Sequence, residues 1–302
     1  MRRATRIVIG IVGSLCLVAT SAQAATPIRV VDTRAYEFGS AAAPGWLAWA
    51  RGPTLDGDYD LAVKELGVGT TFFDAGRFQD VGNIDLGNPR GNILAFSVRP
   101  KVFDSSIRFL NMSTGRFVAT PSGVNTSKDE DNPALWDNNL LFGRGPRRGR
   151  FSTRVILFAP LGSPAMTVAE APPGGSISAD SLRGDFATYT VCPSTGRCNV
   201  FRYQLSTEQK IKMPNPRRAN YWSSVMTDGT VYFVQGSPAF CGLKTKIKRF
   251  QPGSVTTVYS FPNGIEVADL DAVELTPGSP TVFFTRINCP QNSRSGIWKI
   301  AG

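Results

Sequence analysis

Short apolar runs, separated by polar stretches rich in Gly, Pro and Asn, recur along most of the chain. One series is Trp46-Leu47-Ala48-Trp49, Ile93-Leu94-Ala95-Phe96, Leu140-Leu141-Phe142, Phe186-Ala187-Thr188-Tyr189, Val231-Tyr232-Phe233 and Val282-Phe283-Phe284. Anchored on Leu47, Leu94, Leu141, Phe186, Val231 and Val282, it advances in steps of 47, 47, 45, 45 and 51 residues. A second series follows each anchor after a polar loop, at Leu61, Ile107, Val155, Val200, Ile247 and Ile297, in steps of 46, 48, 45, 47 and 50. Two series with one period mark a structural repeat. The runs are short, aromatic and β-branched, and lack a sustained 3.6-residue periodicity, so they predict strands. Each unit reads as a first strand, a turn, the two anchored strands and a fourth strand near Phe72, Val118, Val168, Ile211 or Val258. Four antiparallel strands repeated six times predict an all-β, six-bladed β-propeller over residues 44–302.

Residues 1–24 stand apart from this pattern. Arg2, Arg3 and Arg6 precede an apolar run of 13 residues, Ile7 to Ala19, and Ala22-Gln23-Ala24 offers small residues for cleavage before Ala25. This is the layout of a secretory signal peptide, and the run is short of the roughly 20 residues that span a bilayer. The expected mature protein is exported, with no membrane span. Within residues 25–43, Ile28-Arg29-Val30-Val31 belongs to no repeat unit, whereas the sixth unit stops after Ile297-Trp298-Lys299-Ile300 with three strands. The early segment is therefore expected to supply the missing strand and close the ring, which removes an open sheet edge.

Composition narrows the chemistry. The 302-residue chain carries a formal charge of +10, which falls to +7 once Arg2, Arg3 and Arg6 leave with the leader. It contains no histidine, which excludes Ser-His-Asp and Cys-His catalysis and histidine-bound zinc. Cleavage also removes Cys16 and leaves four cysteines. Cys192 and Cys198 enclose Pro-Ser-Thr-Gly-Arg between two alternating runs, which places them across a hairpin as a disulfide; Cys241 and Cys289 then pair by elimination.

Arg90-Gly91-Asn92-Ile93-Leu94-Ala95-Phe96, followed by Ser106-Ile107-Arg108-Phe109 and Ser113-Thr114-Gly115, resembles the repeat of TolB-like propellers. Asp228-Gly229-Thr230-Val231-Tyr232-Phe233 is similar, and Arg183-Gly184-Asp185-Phe186 and Asp137-Asn138-Asn139-Leu140 are weaker copies. The resemblance covers the propeller part only. It implies a six-bladed ring and a role in holding other proteins, without implying one activity. The 43 residues before the first unit are not expected to supply the extra α/β domain of TolB itself, and a catalytic domain like that of propeller-bearing peptidases is not expected either.

Candidate chemistry rests on carboxylates in or near the predicted first strands, which line the channel of such a ring: Asp85, Asp131, Asp180, Asp269 and Asp271, with Asn83 and Asn132 beside them. Such oxygens could hold Ca²⁺ and activate a water for a lactonase- or lyase-like reaction; otherwise they serve turns, caps and channel solvation. Basic residues cluster at Arg144, Arg147, Arg148 and Arg150, and at Lys244, Lys246, Lys248 and Arg249. They suit anionic envelope polymers, lipid headgroups or acidic proteins, or else solubilise a loop and an edge strand. Export and the lack of a binding motif argue against nucleic acid. The tryptophans Trp46, Trp49, Trp136, Trp222 and Trp298 are expected to pack between blades. Together these features describe a secreted, monomeric, non-catalytic propeller that needs no cofactor and binds a protein, peptide or cell-envelope ligand. The alternative is a Ca²⁺-assisted propeller enzyme.

Overall fold

The computed structural model describes residues 25–302 except 32, 34, 55–58, 67–68, 74–80, 88–91, 102–103, 147–152, 215–217, 237–243 and 290–294. The expected leader, Cys241, Arg147, Arg148 and Arg150 lie outside the described residues. What remains is all β, in six four-stranded antiparallel sheets.

After β1 (Ile28–Arg29), blade 1 is built from β2 (Tyr36–Ala43), β3 (Trp46–Gly52), β4 (Asp60–Glu65) and β5 (Thr70–Phe73). Blade 2 comprises β6 (Val81–Asp85), β7 (Ile93–Lys101), β8 (Asp104–Asn111) and β9 (Arg116–Val118). Blade 3 comprises β10 (Glu130–Trp136), β11 (Asn139–Arg144), β12 (Val155–Pro160) and β13 (Met166–Glu170). Blade 4 comprises β14 (Ser176–Arg183), β15 (Phe186–Cys192), β16 (Asn199–Gln204) and β17 (Lys210–Lys212). Blade 5 comprises β18 (Ala219–Val225), β19 (Val231–Gly236), β20 (Lys246–Gln251) and β21 (Ser254–Ser260). Blade 6 takes β22 (Ile265–Thr276), β23 (Ser279–Asn288) and β24 (Ser295–Ala301), with β1 as its fourth strand. Both anchor series fall on the second and third strands. Blade 1 draws its first strand from within residues 25–43, so the ring starts earlier than the repeat alone indicates.

The second strands read as unbroken apolar runs because both their faces are buried. In β11, Leu140 and Phe142 pack toward blade 2, whereas Leu141 packs toward blade 4. The same division holds around the ring, so each junction between neighbouring blades has its own apolar core. The junction of blades 6 and 1 joins Val31, Leu47 and Trp49 to Phe283 and Ile297.

Ring closure follows the expected route through a shorter strand. Ile28 and Arg29 pair with Lys299 and Trp298, and the Val30 and Val31 N–H groups both donate to Ile297 O. Ile28 is 60% exposed, whereas Val31 is 6% exposed. The apolar seal is therefore Val31, beyond the ladder itself.

Cys192 and Cys198 are bonded across the β15–β16 hairpin. Cys289 is also disulfide-bonded; Cys241, its expected partner, is outside the described residues. No helix among the described residues is long and apolar enough to cross a membrane.

Candidate functional site

The first strands β2, β6, β10, β14, β18 and β22 surround the channel, and each carries a β-bulge at an equivalent level: Gly39–Ser40, Asn83, Asn132–Pro133, Asp180, Trp222 and Ala268–Asp269. A bulge leaves one residue outside the ladder and re-aims its side chain. Four of these residues, Gly39, Asn83, Asn132 and Trp222, have positive φ, between 30° and 62°. Asparagine tolerates that region and glycine favours it, whereas for a bulky side chain such as Trp222 it is strained.

Asn83, Asn132, Asp180, Trp222 and Asp269 line one mouth of the channel, a small cavity of about 40 Å³. Asn83 Nδ2 donates to Asn132 Oδ1 and, at 3.3 Å, to Asp131, which pairs with Arg99 at 2.5 Å. Asp180 accepts from the hydroxyls of Thr190 and Ser223, both at 2.6 Å, and of Ser178 at 3.1 Å. Burial nevertheless pushes Asp180 up to about 6. Asp269 is pushed to about 8, chiefly by burial; the Leu270 N–H opposes this, and Asp271, Asp180 and Asp85 add to it.

Deeper in the channel, the first strands reach a second common level, at Ala41, Asp85, Ala134, Ser181, Ser224 and Asp271, opposite Ala48, Ala95, Leu141, Thr188, Tyr232 and Phe283 of the second strands. Where the residue can accept a hydrogen bond, it takes one from a backbone N–H of the next blade. Leu135 N donates to Asp85 at 2.6 Å and Ala42 N to Asp271 at 2.7 Å. Ala272 N donates to Ser224 at 3.0 Å and Val225 N to Ser181 at 3.3 Å. This belt links blade 2 to 3, 4 to 5, 5 to 6 and 6 to 1.

Arg183, from the end of β14, crosses the channel at this level. Its Nη2 donates to Asp85 at 3.3 Å and to Asp271 at 3.2 Å, and its Nη1 to Leu182 O at 2.8 Å. The side chain is 5% exposed and each carboxylate side chain 8%. Burial works against the guanidinium charge, but Asp85 and Asp271 outweigh it and hold Arg183 above its ordinary value. Burial likewise pushes up both carboxyls, Asp271 to about 6, with Arg183 opposing. Arg183 also lies over the Trp136 ring, 5.5 Å from its centroid.

Beyond Arg183, the opposite mouth is apolar. Ala43, Leu86, Trp136, Met226 and Val273 surround a cavity of about 200 Å³, with Arg183 and Glu274 among its lining residues.

The structure thus brings Asp85 and Asp271 together through Arg183, places Asp180 and Asp269 at the polar mouth, and engages Asp131 with Arg99. Sequence reasoning missed Arg183, seen only as part of a turn, and the belt serines Ser181 and Ser224. Of the tryptophans, Trp49 is buried in a junction core, whereas Trp136 lines the apolar mouth and Trp222, 38% exposed, lines the polar one. In the first basic cluster, Arg144 is engaged internally: it pairs with Glu130 at 2.9 Å, donates to Gly123 O and Val124 O, and lies over Phe142.

The raised carboxyls make stability pH-dependent. A carboxyl whose folded value lies above its unfolded one favours folding below the unfolded value, and that contribution is lost as pH rises through the folded value. For Asp180 and Asp269 the loss begins near pH 4 and continues through about 6 and about 8. Between pH 6 and 9, Asp269 should cost on the order of 1–3 kcal/mol, bounded by about 1.4 kcal/mol per pH unit and reduced by solvent at the mouth. Urea titrations should therefore give a lower stability at pH 9 than at pH 6. Asp269→Asn should flatten that difference; an unchanged slope in the variant would show that Asp269 is not its source.

No family model matches the sequence, and no curated protein matches it. Solved structures do match. A putative TolB from Agrobacterium tumefaciens superposes with a TM-score of 0.57 at 13% identity, over 89% of this chain and 91% of that one. A luciferin-regenerating enzyme gives 0.56 at 10% identity, over 92% and 95%. The β-propeller domain of the Trilobed protease from Pyrococcus furiosus gives 0.53 at 10% identity, over 88% and 95%. Likeness at such low identity speaks for the fold, and the blade count, strand order and repeat agree with it: the chain folds as a TolB-like six-bladed β-propeller.

Proposed function

We propose that this protein is an exported, non-catalytic binding propeller that seats a protein, peptide or cell-envelope ligand at the apolar mouth of its channel. The observation that carries this reading is the division of labour along the channel. Its central charges are spent on one another and on backbone N–H groups of neighbouring blades, which makes a rigid ring, while the mouth beyond them presents apolar side chains around a concave space. Concave apolar sites with a few fixed polar groups are the usual form of ligand pockets. A rigid scaffold carrying variable loops is a common basis for recognition. The similar solved structures include a putative TolB, a luciferin-regenerating enzyme and a protease propeller domain, so the fold alone does not choose a ligand.

The Ca²⁺-assisted alternative needs six to eight converging oxygens. Among the described residues, no three of His, Cys, Asp and Glu are grouped so as to hold a metal ion. Asp85 and Asp271 face Arg183, Asp131 faces Arg99 and Asp180 accepts three hydroxyls. These partners draw four of the five candidate carboxylates away from such a cage and support the binding reading over it.

The test is capture from envelope extract by the mature protein, with and without chelator, beside Trp136→Ala and Glu274→Arg. The expected result is chelator-independent capture that falls at least tenfold in a variant whose melting temperature is unchanged. Equal capture by both folded variants overturns the mouth as the site. Capture that requires Ca²⁺ transfers support to the metal-dependent reading.

A further inference from the structure

The outer edge of blade 5 differs from the other outer edges. Its strand β21, Ser-Val-Thr-Thr-Val-Tyr-Ser, is 7 residues long. The other fourth strands run to 4 residues in β5, 3 in β9, 5 in β13, 3 in β17 and 2 in β1. β9, β13, β17 and β1 carry Arg116, Glu170, the pair Lys210 and Lys212, and Arg29, whereas β21 carries no charge and no proline. Shortness, charge and proline are usual guards against strand pairing at an edge; β21 has none of the three, and its register shift, at Val258, leaves Ser254 to Thr257 in regular register with β20. It is the last strand of its sheet, Ser254 to Thr257 are exposed, and among the described residues no strand lies beyond it.

The strand behind it is basic. Lys246 and Lys248 of β20 stand two residues apart on one face, and Ile247 between them is buried toward blade 6. Their partners on β21 are Ser260 and Thr257, small residues that leave the lysine stems room to lie outward. Lys248 Nζ donates to Thr257 Oγ1 at 2.7 Å, which places an ammonium over β21 itself. No acidic side chain pairs with Lys246 or Lys248 in the ion pairs of the described residues. Burial, and then Lys246, hold Lys248 below its ordinary value, as befits a cation that lacks an anion.

We infer that β21 is a docking edge for an extended acidic segment of a partner polypeptide, which adds a fifth strand to blade 5 and sets alternate Asp or Glu side chains toward Lys246 and Lys248. Backbone hydrogen bonds supply affinity in strand addition, and alternate side chains supply selectivity. The incoming strand lies one spacing of about 4.8 Å beyond β21 and two, about 9.6 Å, beyond β20, a gap that the four-carbon lysine stem and a glutamate bridge together. Charge decides the occupant. A second copy of β21 would satisfy the same backbone groups but would place Ser, Thr and Val where the lysines select acid. The inference rests on this edge alone and is independent of the channel mouth.

The probe is a ten-residue peptide alternating Glu with Val or Thr, compared with a Lys-for-Glu counterpart and with a Glu peptide whose alternate Val residues are replaced by Pro. Binding is read by fluorescence anisotropy at 20 and 500 mM salt, and by amide exchange of Val255 and Thr257. The Glu peptide should bind and slow exchange along β21, and should weaken at least tenfold in high salt. The Pro and Lys peptides should bind at least tenfold more weakly. The paired change Lys246→Glu with Lys248→Glu should reverse the preference toward the Lys peptide. Binding indifferent to the prolines, binding without slowed exchange of β21, or no binding to the folded wild type at low salt would each overturn the inference. Self-association of the wild type that the Glu peptide does not reverse would assign the edge to a second copy instead.

Discussion

Replacing Arg183 by Ala should lower the unfolding free energy at pH 8 by about 3–5 kcal/mol, the usual cost of removing one partner from a buried ion pair. The charges left behind dominate this cost. Asp85 and Asp271 would remain in the channel with no counter-charge between them, still bound to Leu135 N and Ala42 N. Their folded values, already raised by burial, would rise further. Stability that depends on such carboxyls being protonated is lost as pH rises through the folded value. The gap between Arg183→Ala and wild type should therefore widen from pH 5 to pH 8. Combining Arg183→Met with Asp85→Asn and Asp271→Asn should recover much of the loss, because the neutral amides can still accept the backbone N–H groups. Urea denaturation at both pH values measures all three terms. A gap that is small and independent of pH would mean that Arg183 contributes by packing on Trp136 alone.

Deleting residues 25–35 should lower the melting temperature by 10 °C or more. Val31 is buried against Ile297, and its side chain alone accounts for about 1.5–3 kcal/mol. The deletion also removes the pairing of Ile28 and Arg29 with β24 and takes Thr33 from Glu37, whose side chain is fully buried. In a protein of this size, each kcal/mol moves the midpoint by roughly 2–4 °C. Scanning calorimetry of the shortened protein checks the value. Adding the 25–35 peptide in excess should restore part of the loss by mass action. A midpoint within 2 °C of the full mature chain would show that blade 6 is stable with three strands.

The repeat was legible because its signal comes from burial on two faces. Leu140-Leu141-Phe142 must be apolar throughout, since its residues alternate between two junction cores. The second-strand and third-strand anchors therefore mark the blades directly, and fourth strands such as β17 follow from spacing. The channel was only partly legible. Asp85 and Asp271 stood out as carboxylates, but their shared level did not, because Ser181 and Ser224 perform the same task with another residue type. What repeats there is the acceptance of a neighbouring N–H, a property common to Asp and Ser. Arg183 lay hidden in Arg-Gly-Asp-Phe, which reads as a turn between β14 and β15. Its role depends on the distant strands β6 and β22. The bulges were equally silent, since Gly39, Asn83, Asp180 and Trp222 share a position in the ladder and no common chemistry.

The belt also has gaps. Ala41 and Ala134 occupy its level in blades 1 and 3 and can accept nothing, so the junctions of blade 1 with 2 and of blade 3 with 4 have no side-chain tether there. The belt by itself therefore divides the ring into two arcs, one of blades 2 and 3 and one of blades 4, 5, 6 and 1, and it is Arg183 of the longer arc that ties them at this depth, through Asp85 across the channel and over Trp136 across the seam of blades 3 and 4. The disulfide at Cys192–Cys198 and the Val31 seal both belong to the longer arc, which is thereby fastened more heavily than the shorter one. With Arg183 removed, the two arcs would meet at this depth through apolar contact alone, and any opening of the ring would be expected at these two seams.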